Sequence, residues 1–501
     1  MANPSLQIGN DKWAIKEDSL LGYTELGNNI APVEIDMTRA SAGTRVNPQG
    51  LVETVELLGS EEVTNGDFAT DTDWTKEASW SIANGKASYN GVSNGHRIYQ
   101  NIPLTIGKTY TATLDILDSS GNFRISVDGG TAAYTNYTSG DGTYTFEFTS
   151  TAVEFSIRAS MGYGSDTISV DNISVKESTK NNLARVNYTG STSSLLAEPQ
   201  RTNTVVYSSD FSQYSYGGTA PTLTTGQLAP DGTYNATKIS GVIGSTSLYT
   251  NAESSTTASR SIYARTVSGT GTARLTSYNS NTNNLFTLTE EWQRFELTGS
   301  NSDGGTNFYA ADFRGSQTLS EFIIWGCQSE EATYPTSIIP TSGSTVTRNQ
   351  DQYSKTGISD KINSAEGVLF LEMAALSNDG TNRYISINNG GALDYLFFRY
   401  RSDNQFQIRY RSNNVDSVNQ TFSLSNNLDF NKIALSYKLN EFKIFINGLQ
   451  VGSTITSGNI FNAAVDSLDL EKFNGGDIFF GKIKQLQVYK TANIDLAALT
   501  L

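Results

Sequence analysis

Residues 184–203 read ARVNYTGSTSSLLAEPQRTN, and the rest of the chain is organised around this stretch. Tyr188-Thr-Gly predicts a turn, Leu195-Leu196 a short buried segment, and Pro199 the end of that segment. Residues 39–53, RASAGTRVNPQGLVE, also carry Arg-Val-Asn followed by a turn and an apolar pair. We interpret the two stretches as halves of one N-terminal frame, with a β-rich module inserted between them.

Composition favours many short strands over helical bundles. The chain has 501 residues, of which 17% are charged and 11% aromatic. Abundant Thr, Ser, Asn and Gly suit short strands joined by polar turns, and the length allows several domains. The net charge of −15 comes with no cluster of Lys and Arg, which excludes a nucleic-acid groove. It also argues against binding to an anionic membrane.

The low counts of cysteine and histidine exclude several kinds of site. Cys327 is the only cysteine and His96 the only histidine. No intrachain disulfide and no Cys/His zinc site can therefore form, and a Ser-His-Asp triad would need His96. We interpret His96 as a structural histidine and Cys327 as a small buried hydrophobe. The sequence shows neither a membrane-spanning apolar run nor a Sec signal, so we expect a soluble protein without a signal peptide.

The predicted fold class is all-β: three tandem antiparallel β-sandwich (jelly-roll) modules behind a small N-terminal attachment frame. Residues 1–60 hold too few hydrophobic residues to bury a core alone, so this frame needs residues 178–203 or a partner protein. The first module, residues 61–177, is inserted into the frame, and residues 204–345 repeat its plan. Residues 346–501 form the third sandwich, with the strongest hairpin signal at Asn447-Gly448.

Several phrases resemble known proteins. Residues 38–47 with 50–53, and residues 194–203, resemble phrases in tail, fibre or structural proteins of bacteriophage virions. Residues 327–331 followed by 334–341 are similar to the end of a carbohydrate-binding-module-like sandwich in the same proteins. Residues 61–177 resemble family 4/9-type carbohydrate-binding modules, through residues 65–68 and 170–175. Residues 441–451 and 481–489 resemble laminin-G/concanavalin-like jelly rolls.

The resemblance implies a non-enzymatic virion protein, assembled in the host cytoplasm, as a fibre, tail-tip or head-fibre component. Its frame would dock on other virion proteins, and its sandwiches would adhere to host-surface glycans. A homo-oligomer, with a trimer favoured, would strengthen weak single sites by multivalency. No nucleic-acid or membrane partner is expected.

Three alternatives stay open. The first is a capsid or tail decoration protein with a purely structural role and no ligand. The second is a polysaccharide depolymerase, although no pair of carboxylates stands out among the acidic residues. The third is a bacterial cell-surface binding protein, against which the missing export signal argues.

Candidate sugar-binding residues are aromatic side chains in loops, together with polar neighbours. A sugar needs a ring for its apolar face and Asn, Asp, Gln or Arg for its hydroxyls. The candidates are Trp74, Tyr134, Tyr137, Tyr163, Tyr214, Tyr216, Tyr395, Arg399, Tyr400, Arg409 and Tyr410. The alternative is that these are half-buried core or strand residues, which is our interpretation of Trp80, Trp292 and Trp325.

The resemblance also implies a metal ion. In the carbohydrate-binding modules a calcium ion ties the first turn to the last strand. Here Asp67 and Asp171 would bind it, together with nearby backbone carbonyls, since calcium prefers hard oxygen ligands. The alternative is that both are turn or cap residues and fold without metal. No other cofactor is expected.

Overall fold

The computed structural model describes residues 2–26, 29–90, 96–127, 132–133, 138–160, 167–252, 257–277, 284–300, 306–401 and 404–501. Within these residues almost all regular structure is antiparallel β-sheet, which confirms the all-β fold class. The α-helix Leu496–Thr500 is capped at its N-terminus by Asp495, whose carboxylate accepts a hydrogen bond from Ala498 N. No helix in the described part of the chain is long and apolar enough to cross a membrane.

The chain divides into two compact units, residues 56–180 and residues 1–55 with 181–501. We call residues 56–180 the inserted unit. One of its sheets has the order Gly142–Thr149, Thr109–Leu117, Ile168–Thr179, Lys86–Tyr89 and Trp80–Ala83, with Leu57–Glu61 also paired to Ile168–Thr179. The other has the order Ala132–Ala133, Asn122–Val127, Glu154–Ser160, Arg97–Asn101 and Thr75–Lys76, with Thr138–Ser139 also paired to Asn122–Val127.

The two ends of the inserted unit lie side by side. Its first and last strands are antiparallel neighbours, and Leu57 is the register partner of Thr179. Paired residues of this kind have Cα atoms about 5 Å apart. The core is closed within the unit by residues such as Leu114, Ile157 and Val170. The unit therefore has its own core, and its first and last residues lie close enough together to be inserted at a single position of another domain.

The second unit contains a sandwich that we call the C-terminal sandwich. One part of its sheet has the order Leu449–Gln450, Glu441–Ile446, Asn431–Lys438, Glu366–Ala375 and Gly481–Tyr489. Leu6–Gly9 and Thr192–Ala197 both pair with the free edge of Gly481–Tyr489, and Arg185–Thr189 pairs with Thr192–Ala197. The other part has the order Ser19–Leu26, Asn29–Thr38, Gln352–Lys355, Ser467–Asp469, Arg383–Asn388, Tyr395–Tyr400, Gln405–Ser412 and Val415–Ser423, with Ile15–Lys16 paired to Ser19–Leu26.

The strand pairing differs from the predicted division into a frame and a third module. Leu6 pairs with Val488, and Met37 pairs with Tyr353. Leu6, Ile35 and Met37 are buried in the same hydrophobic core as Leu371. The leading segment does depend on other parts of the chain for its core, as its low hydrophobic content predicts. Its sheet partners come from residues 352–489 as well as from residues 185–197, because Gly481–Tyr489 and Gln352–Lys355 each offer a free edge.

The hairpin at Asn447-Gly448 is confirmed. Glu441–Ile446 and Leu449–Gln450 pair directly, with Ile446 opposite Leu449. Asn447 and Gly448 have φ values of 48° and 83°, and both residues tolerate this left-handed conformation in a two-residue turn.

Residues 204–345 form a smaller set of sheets in the same unit. The five-stranded sheet has the order Thr222–Gln227, Ala236–Ser240, Glu321–Glu330, Thr257–Arg265 and Gln293–Ser300. A three-stranded sheet has the order Ser215–Gly217, Ser247–Asn251 and Asn307–Asp312, and Gly271–Arg274 pairs with Leu285–Leu288. Short pairs also join Thr44–Val46 to Val52–Thr54 and Arg201–Asn203 to Val346–Arg348. Cys327 and Trp325 are buried and Trp292 is half-buried, as predicted, and Trp80 is buried in the inserted unit.

The two halves of the predicted frame meet at a cluster of buried charges, Arg39, Arg185, Glu198, Arg348 and Asp351. Arg39 Nη1 donates to Asp351 Oδ1 at 2.7 Å, and Arg185 Nη2 donates to the other carboxylate oxygen of Asp351. Arg185 Nη1 also donates to Glu198 Oε2 at 2.6 Å, and Arg348 Nη1 forms an ion pair with the same oxygen at 2.9 Å. All five side chains are at most 4% exposed. We call these five residues the buried charge cluster.

The phrase at residues 334–341 closes this cluster. Ser337 donates to Glu198 from both its backbone N and its hydroxyl, at 2.8 and 2.7 Å. Thr44 Oγ1 donates to Ile338 O at 2.5 Å. Residues of the three segments 38–47, 194–203 and 334–341 therefore meet at one buried contact.

Candidate functional site

The face of the C-terminal sandwich opposite its core carries a group of aromatic and polar side chains. It is formed by four neighbouring strands, Arg383–Asn388, Tyr395–Tyr400, Gln405–Ser412 and Val415–Ser423. Side chains alternate between the two faces of a strand, so Leu396, Phe398 and Tyr400 point into the core. Tyr395, Phe397 and Arg399 consequently lie on the opposite side, which we call the outer face.

Register aligns the outer-face residues into three cross-strand rows. The rows are Tyr384–Arg399–Gln407–Thr421, Ser386–Phe397–Arg409–Asn419 and Asn388–Tyr395–Arg411–Asp416. Side chains directly opposite each other on one face are about 5 Å apart at Cβ. The sheet thereby brings residues that are up to 37 positions apart in the sequence, Tyr384 and Thr421, onto one face.

Aromatic rings form a stack at the centre of the outer face. Tyr384, Tyr395 and Phe397 form a separate small cluster, and Phe473 packs against it. The ring of Phe473 lies parallel to that of Tyr395, with centroids 3.8 Å apart and an interplanar angle of 6°. Tyr395 is 1% exposed, whereas Phe473 is half-buried. Phe473 is therefore the ring through which this aromatic stack meets solvent.

A tight turn positions Phe473. Lys472 N donates to Gly476 O at 3.1 Å, and Gly475 N donates to Lys472 O at 2.8 Å. Gly475 and Gly476 have φ values of 82° and 76°, a conformation that disfavours residues with a Cβ. Phe479 N donates to Leu470 O at 2.8 Å and closes the loop at its base. The ring is thus held by backbone geometry as well as by stacking.

A continuous line of hydrogen bonds crosses the face beside the stack. Arg399 Nη1 donates to the hydroxyl of Tyr384 at 2.6 Å, and Arg399 Nη2 donates to Gln407 Oε1. Gln407 Nε2 donates to Asn419 Oδ1 at 2.8 Å. Asn419 Nδ2 then donates to Asp416 Oδ2 at 3.3 Å. These bonds hold the polar side chains in a defined arrangement before any ligand binds.

Two arginines converge on one carboxylate at the end of this line. Arg409 donates to both oxygens of Asp416, at 2.9 and 2.7 Å, and Arg411 Nε donates to Oδ1 at 2.7 Å. Burial acts to raise the pKa of Asp416, but these hydrogen bonds outweigh it and hold the pKa below its usual value. The hydrogen bond to Asp416 also raises the pKa of Arg411. Asp416 is therefore ionised and orients both guanidinium groups at neutral pH.

The structure brings together three of the five residues predicted as a site in the third module. Tyr395, Arg399 and Arg409 lie on the outer face, but Tyr395 is 1% exposed beneath the ring of Phe473, so its assignment as a sugar-contacting ring is corrected to a support for Phe473. Tyr400 and Tyr410 are fully buried in the core, which corrects their assignment as sugar-binding residues. The hydroxyl of Tyr400 donates to Met373 O at 2.8 Å, and that of Tyr410 accepts from Phe461 N at 2.8 Å. Their rings are packed and their hydroxyls are hydrogen-bonded inside the sandwich. Alternate residues of a strand face opposite sides of the sheet, so these two face the core.

The remaining predicted aromatics behave differently from one another. Trp74 is 6% exposed, packs against Phe68 and donates from Nε1 to Asn65 O at 3.0 Å, so its assignment to a sugar site is corrected to the core. Tyr214 is also buried, with its hydroxyl donating to Tyr207 O at 2.8 Å. Tyr216 is 55% exposed. The predicted residues that lie outside the described part of the chain are Tyr134, Tyr137 and Tyr163.

Sequence reasoning missed several outer-face residues. Phe397 and Arg411 follow from strict alternation along the same two strands, because they are separated by two positions from predicted members. Tyr384 and Asp416 lie on flanking strands, and their place depends on register. Phe473 lies in a loop with no strand pattern, and no local signal places it on Tyr395.

The predicted calcium residues lie near a real contact between the first turn and the last strand of the inserted unit. Ile173 N donates to Gly66 O at 2.9 Å. Asp67 is exposed, with Oδ1 accepting from Ala69 N at 3.3 Å, and Asp171 accepts from Asn172 N at 2.7 Å. Among the described residues, no three Asp, Glu, His or Cys side chains come close enough together to hold a metal ion. Calcium at this turn stays a prediction that would rely on backbone carbonyls.

A cavity of about 350 Å³ lies elsewhere in the same unit, beside the buried charge cluster. Arg45 and Arg294 line it, but each is paired, with Glu53 at 2.8 Å and Glu296 at 3.3 Å. The charges of these two arginines are therefore compensated, whereas the outer face combines a stacked ring with arginines that outnumber their one carboxylate. We take the outer face as the candidate site.

One family model matches the part of the chain that carries this face. Residues 370–493 match Laminin_G_3, described as the concanavalin A-like lectin/glucanases superfamily. This range covers the four outer-face strands and Phe473, and it folds as an antiparallel β-sandwich. No curated protein matches the chain.

Several of the solved structures that match this chain each cover about a third of it or less. They include the CBM40 module of a Ruminococcus gnavus IT-sialidase, at 18% identity over 27% of this chain and 83% of that one, with a TM-score of 0.24. Domain 4 of the GH43 arabinanase AbnA from Geobacillus stearothermophilus, solved with arabinotriose, has 16% identity over 30% and 73%, with a TM-score of 0.25. Sheep galectin-11, solved with glycerol, has 13% identity over 27% and 95%, with a TM-score of 0.18.

Proposed function

We propose that the outer face of the C-terminal sandwich binds glycans, without catalysing their cleavage. The observation that carries this proposal is the stack of Phe473 on Tyr395 next to a preformed line of polar side chains. A sugar ring presents C–H groups on one face and hydroxyls around its edge, so it needs a flat aromatic surface beside fixed donors and acceptors. Phe473 supplies the surface, and Gln407 and Asn419 supply neutral donors and acceptors on the same face.

The supporting geometry is pre-organised. Arg399, Gln407, Asn419 and Asp416 are already connected by hydrogen bonds, so little side-chain entropy is lost when a ligand binds. Gln407 is half-buried and Asn419 is exposed, so water is displaced from a limited polar area. Weak binding at one such face would be strengthened if the chain formed a trimer that presents three of them.

We further propose that the chain is a component of a phage virion, where these faces adhere to the host surface. The resemblance of residues 38–47, 194–203 and 334–341 to virion proteins supports this placement. Immunogold labelling of purified particles with antibodies raised against the chain tests it. Labelling of a tail, fibre or head position is the expected result, and particles that lack the chain would contradict it.

The binding proposal is tested with the full chain on an array of bacterial surface glycans. We expect wild-type protein to bind at least one glycan and Phe473→Ala to lose about tenfold or more in affinity, because stacking on a ring contributes to that extent. Tyr234→Ala is the matched control, since Tyr234 is an aromatic side chain that is 74% exposed and lies outside this face. The proposal fails if wild type binds no glycan, which would favour a purely structural decoration role. It also fails if Phe473→Ala binds as well as wild type.

A further inference from the structure

The outer face carries local positive charge in an acidic chain. Arg399, Arg409 and Arg411 lie on two adjacent strands, and Asp416 on the next strand is the one carboxylate in contact with them among the described residues. The whole chain has a net charge of −15. Asp469 lies on the other side of the aromatic cluster, because its strand Ser467–Asp469 is separated from Tyr395–Tyr400 by the strand Arg383–Asn388. The half of the face next to Tyr395 is therefore basic, against the balance of the protein.

These arginines keep unused hydrogen-bond donors. A guanidinium group has five N–H donors. Within the described chain, Arg409 uses two of them on Asp416, and Arg411 uses one on Asp416 and one on Asn414. Arg399 Nε is buried and has no hydrogen-bond partner among the described residues. Asp416 already accepts from Arg409, Arg411 and Asn419, so it offers little capacity for the remaining donors.

The two arginines beside Tyr395 are also fixed in position. The guanidinium carbons of Arg409 and Arg411 lie 5.9 and 5.7 Å from the centroid of the Tyr395 ring. Asp416 holds both groups by ion pairs, and their side chains remain 25% and 21% exposed. Planar, oriented guanidinium groups match the paired oxygens of an oxyanion, which a flexible lysine would not do.

We propose that the glycan bound at this face is acidic, and that a carboxylate, sulfate or phosphate group on it is held by Arg409 and Arg411 while its sugar ring packs on Phe473. This inference rests on the proposed glycan binding and adds the class of ligand. An oxyanion at this position accepts N–H donors that the fold leaves unused. It also offsets the excess of positive charge on the face, which a neutral sugar cannot do. Because the groups are partly exposed, binding weakens as salt concentration rises.

The experiment compares acidic polymers with neutral forms of the same backbone, using immobilised full-length chain. The pairs are polygalacturonate and its methyl ester, hyaluronate and its carboxyl-reduced form, dextran sulfate and dextran, and phosphomannan and mannan. These pairs separate carboxylate, sulfate and phosphate as the source of the oxyanion. We expect at least one acidic polymer to bind at least tenfold more tightly than its neutral partner, with less binding at 0.5 M than at 0.05 M salt, concentrations about threefold apart in Debye length.

Variants connect this preference to the two arginines. Arg409→Gln/Arg411→Gln should lose at least tenfold in affinity for the acidic polymer and change affinity for neutral glycans little. Arg314→Gln is the matched control, because Arg314 makes the same two-pronged contact with Asp312, at 2.8 and 2.7 Å, outside this face. Thermal unfolding verifies that each variant is folded, and the single variants Arg409→Gln and Arg411→Gln replace the double variant if that one does not fold.

The outcomes separate the two proposals. Equal binding of acidic and neutral partners, or equal losses on both in the arginine variant, overturns the acidic-ligand inference. Binding that is restricted to neutral glycans and depends on Phe473 overturns it as well, and leaves the proposed glycan binding intact. Absence of binding to every polymer and to the glycan array overturns both.

Discussion

Arg39 donates a 2.7 Å hydrogen bond to Asp351 although 312 residues separate them, and both side chains are fully buried. This ion pair joins the end of the first long hairpin to the start of the C-terminal strands. Isolated buried charges cost several kcal/mol, so each member of the cluster is stable only while its partners are in place. Folding of the N-terminal segment therefore depends on residues 348–351 packing into the cluster.

Asp351→Asn should destabilise the protein strongly. Removing this carboxylate leaves Arg39 and Arg185 with less compensating charge in the interior, and breaking such a pair costs about 3–5 kcal/mol. Urea unfolding followed by tryptophan fluorescence measures the change. Glu34→Gln is the control, because its partner Lys16 is 60% exposed and no measurable loss is expected from that surface pair. Equal effects of the two substitutions would contradict the role assigned to the cluster.

Glu198 should make stability depend on acid pH. Burial favours its neutral form, but the charges of Arg348 and Arg185, with hydrogen bonds from Ser337, more than offset this and hold its pKa well below its usual value. A lowered pKa in the folded state means that the stabilisation is present above the unfolded-state pKa and is lost as pH falls towards the folded-state pKa.

The difference in unfolding free energy between wild type and Glu198→Gln should accordingly shrink as pH falls below about 5. Denaturation series at pH 7, 5, 4 and 3 measure it. A difference that stays constant or grows on acidification would show that Glu198 is not held as a carboxylate in the folded state.

The inserted unit should fold without the rest of the chain. Its core is closed internally, and its ends are adjacent because Leu57 pairs with Thr179. A fragment of residues 56–180 should unfold cooperatively, and a chain in which a short Gly/Ser linker replaces these residues should keep the unfolding transition of the other unit. Calorimetry of both proteins measures this. A fragment without a cooperative transition would contradict the assignment of a separate core.

Tyr400→Phe should leave glycan binding unchanged and cost about 1 kcal/mol, since it removes a buried hydrogen bond to Met373 but keeps the ring. Phe473→Ala should do the reverse, with a small effect on stability and a large one on binding, because Phe473 is half-buried on the outer face. Denaturation and glycan binding are measured on both variants. A loss of binding in Tyr400→Phe would place Tyr400 at the site after all.

Calcium binding at Asp67 and Asp171 stays a prediction. If an ion ties this turn to the last strand, EDTA should lower the melting temperature of the 56–180 fragment, and added calcium should restore it. The Asp67→Asn/Asp171→Asn variant should melt at the EDTA value under both conditions. An unchanged melting temperature in EDTA would assign both residues to the turn and the strand alone.

Short-range patterns predicted much of the fold. Alternation predicted the strands Tyr395–Tyr400 and Gln405–Ser412. The turn residues Asn447 and Gly448 predicted the hairpin between Glu441–Ile446 and Leu449–Gln450. Composition predicted the all-β class, and the low hydrophobic content of residues 1–60 predicted that they depend on other segments. Alternation, applied strictly, also separates Tyr395 from Tyr400, because residues five positions apart on one strand face opposite sides.

Longer-range features required the assembled chain. Backbone hydrogen bonds between strands are nearly independent of side-chain identity. The sequence of residues 6–9 therefore does not specify residues 485–488 as their pairing partners. The same holds for Phe473, whose loop carries no periodic pattern, yet whose ring completes the candidate site. Local residue types are thus sufficient for strands, turns and the class of fold, since these depend on neighbours a few positions away. Which edges pair, which charges meet in the interior and which rings reach solvent depend on contacts between distant segments, and these exist only once the sheets have formed.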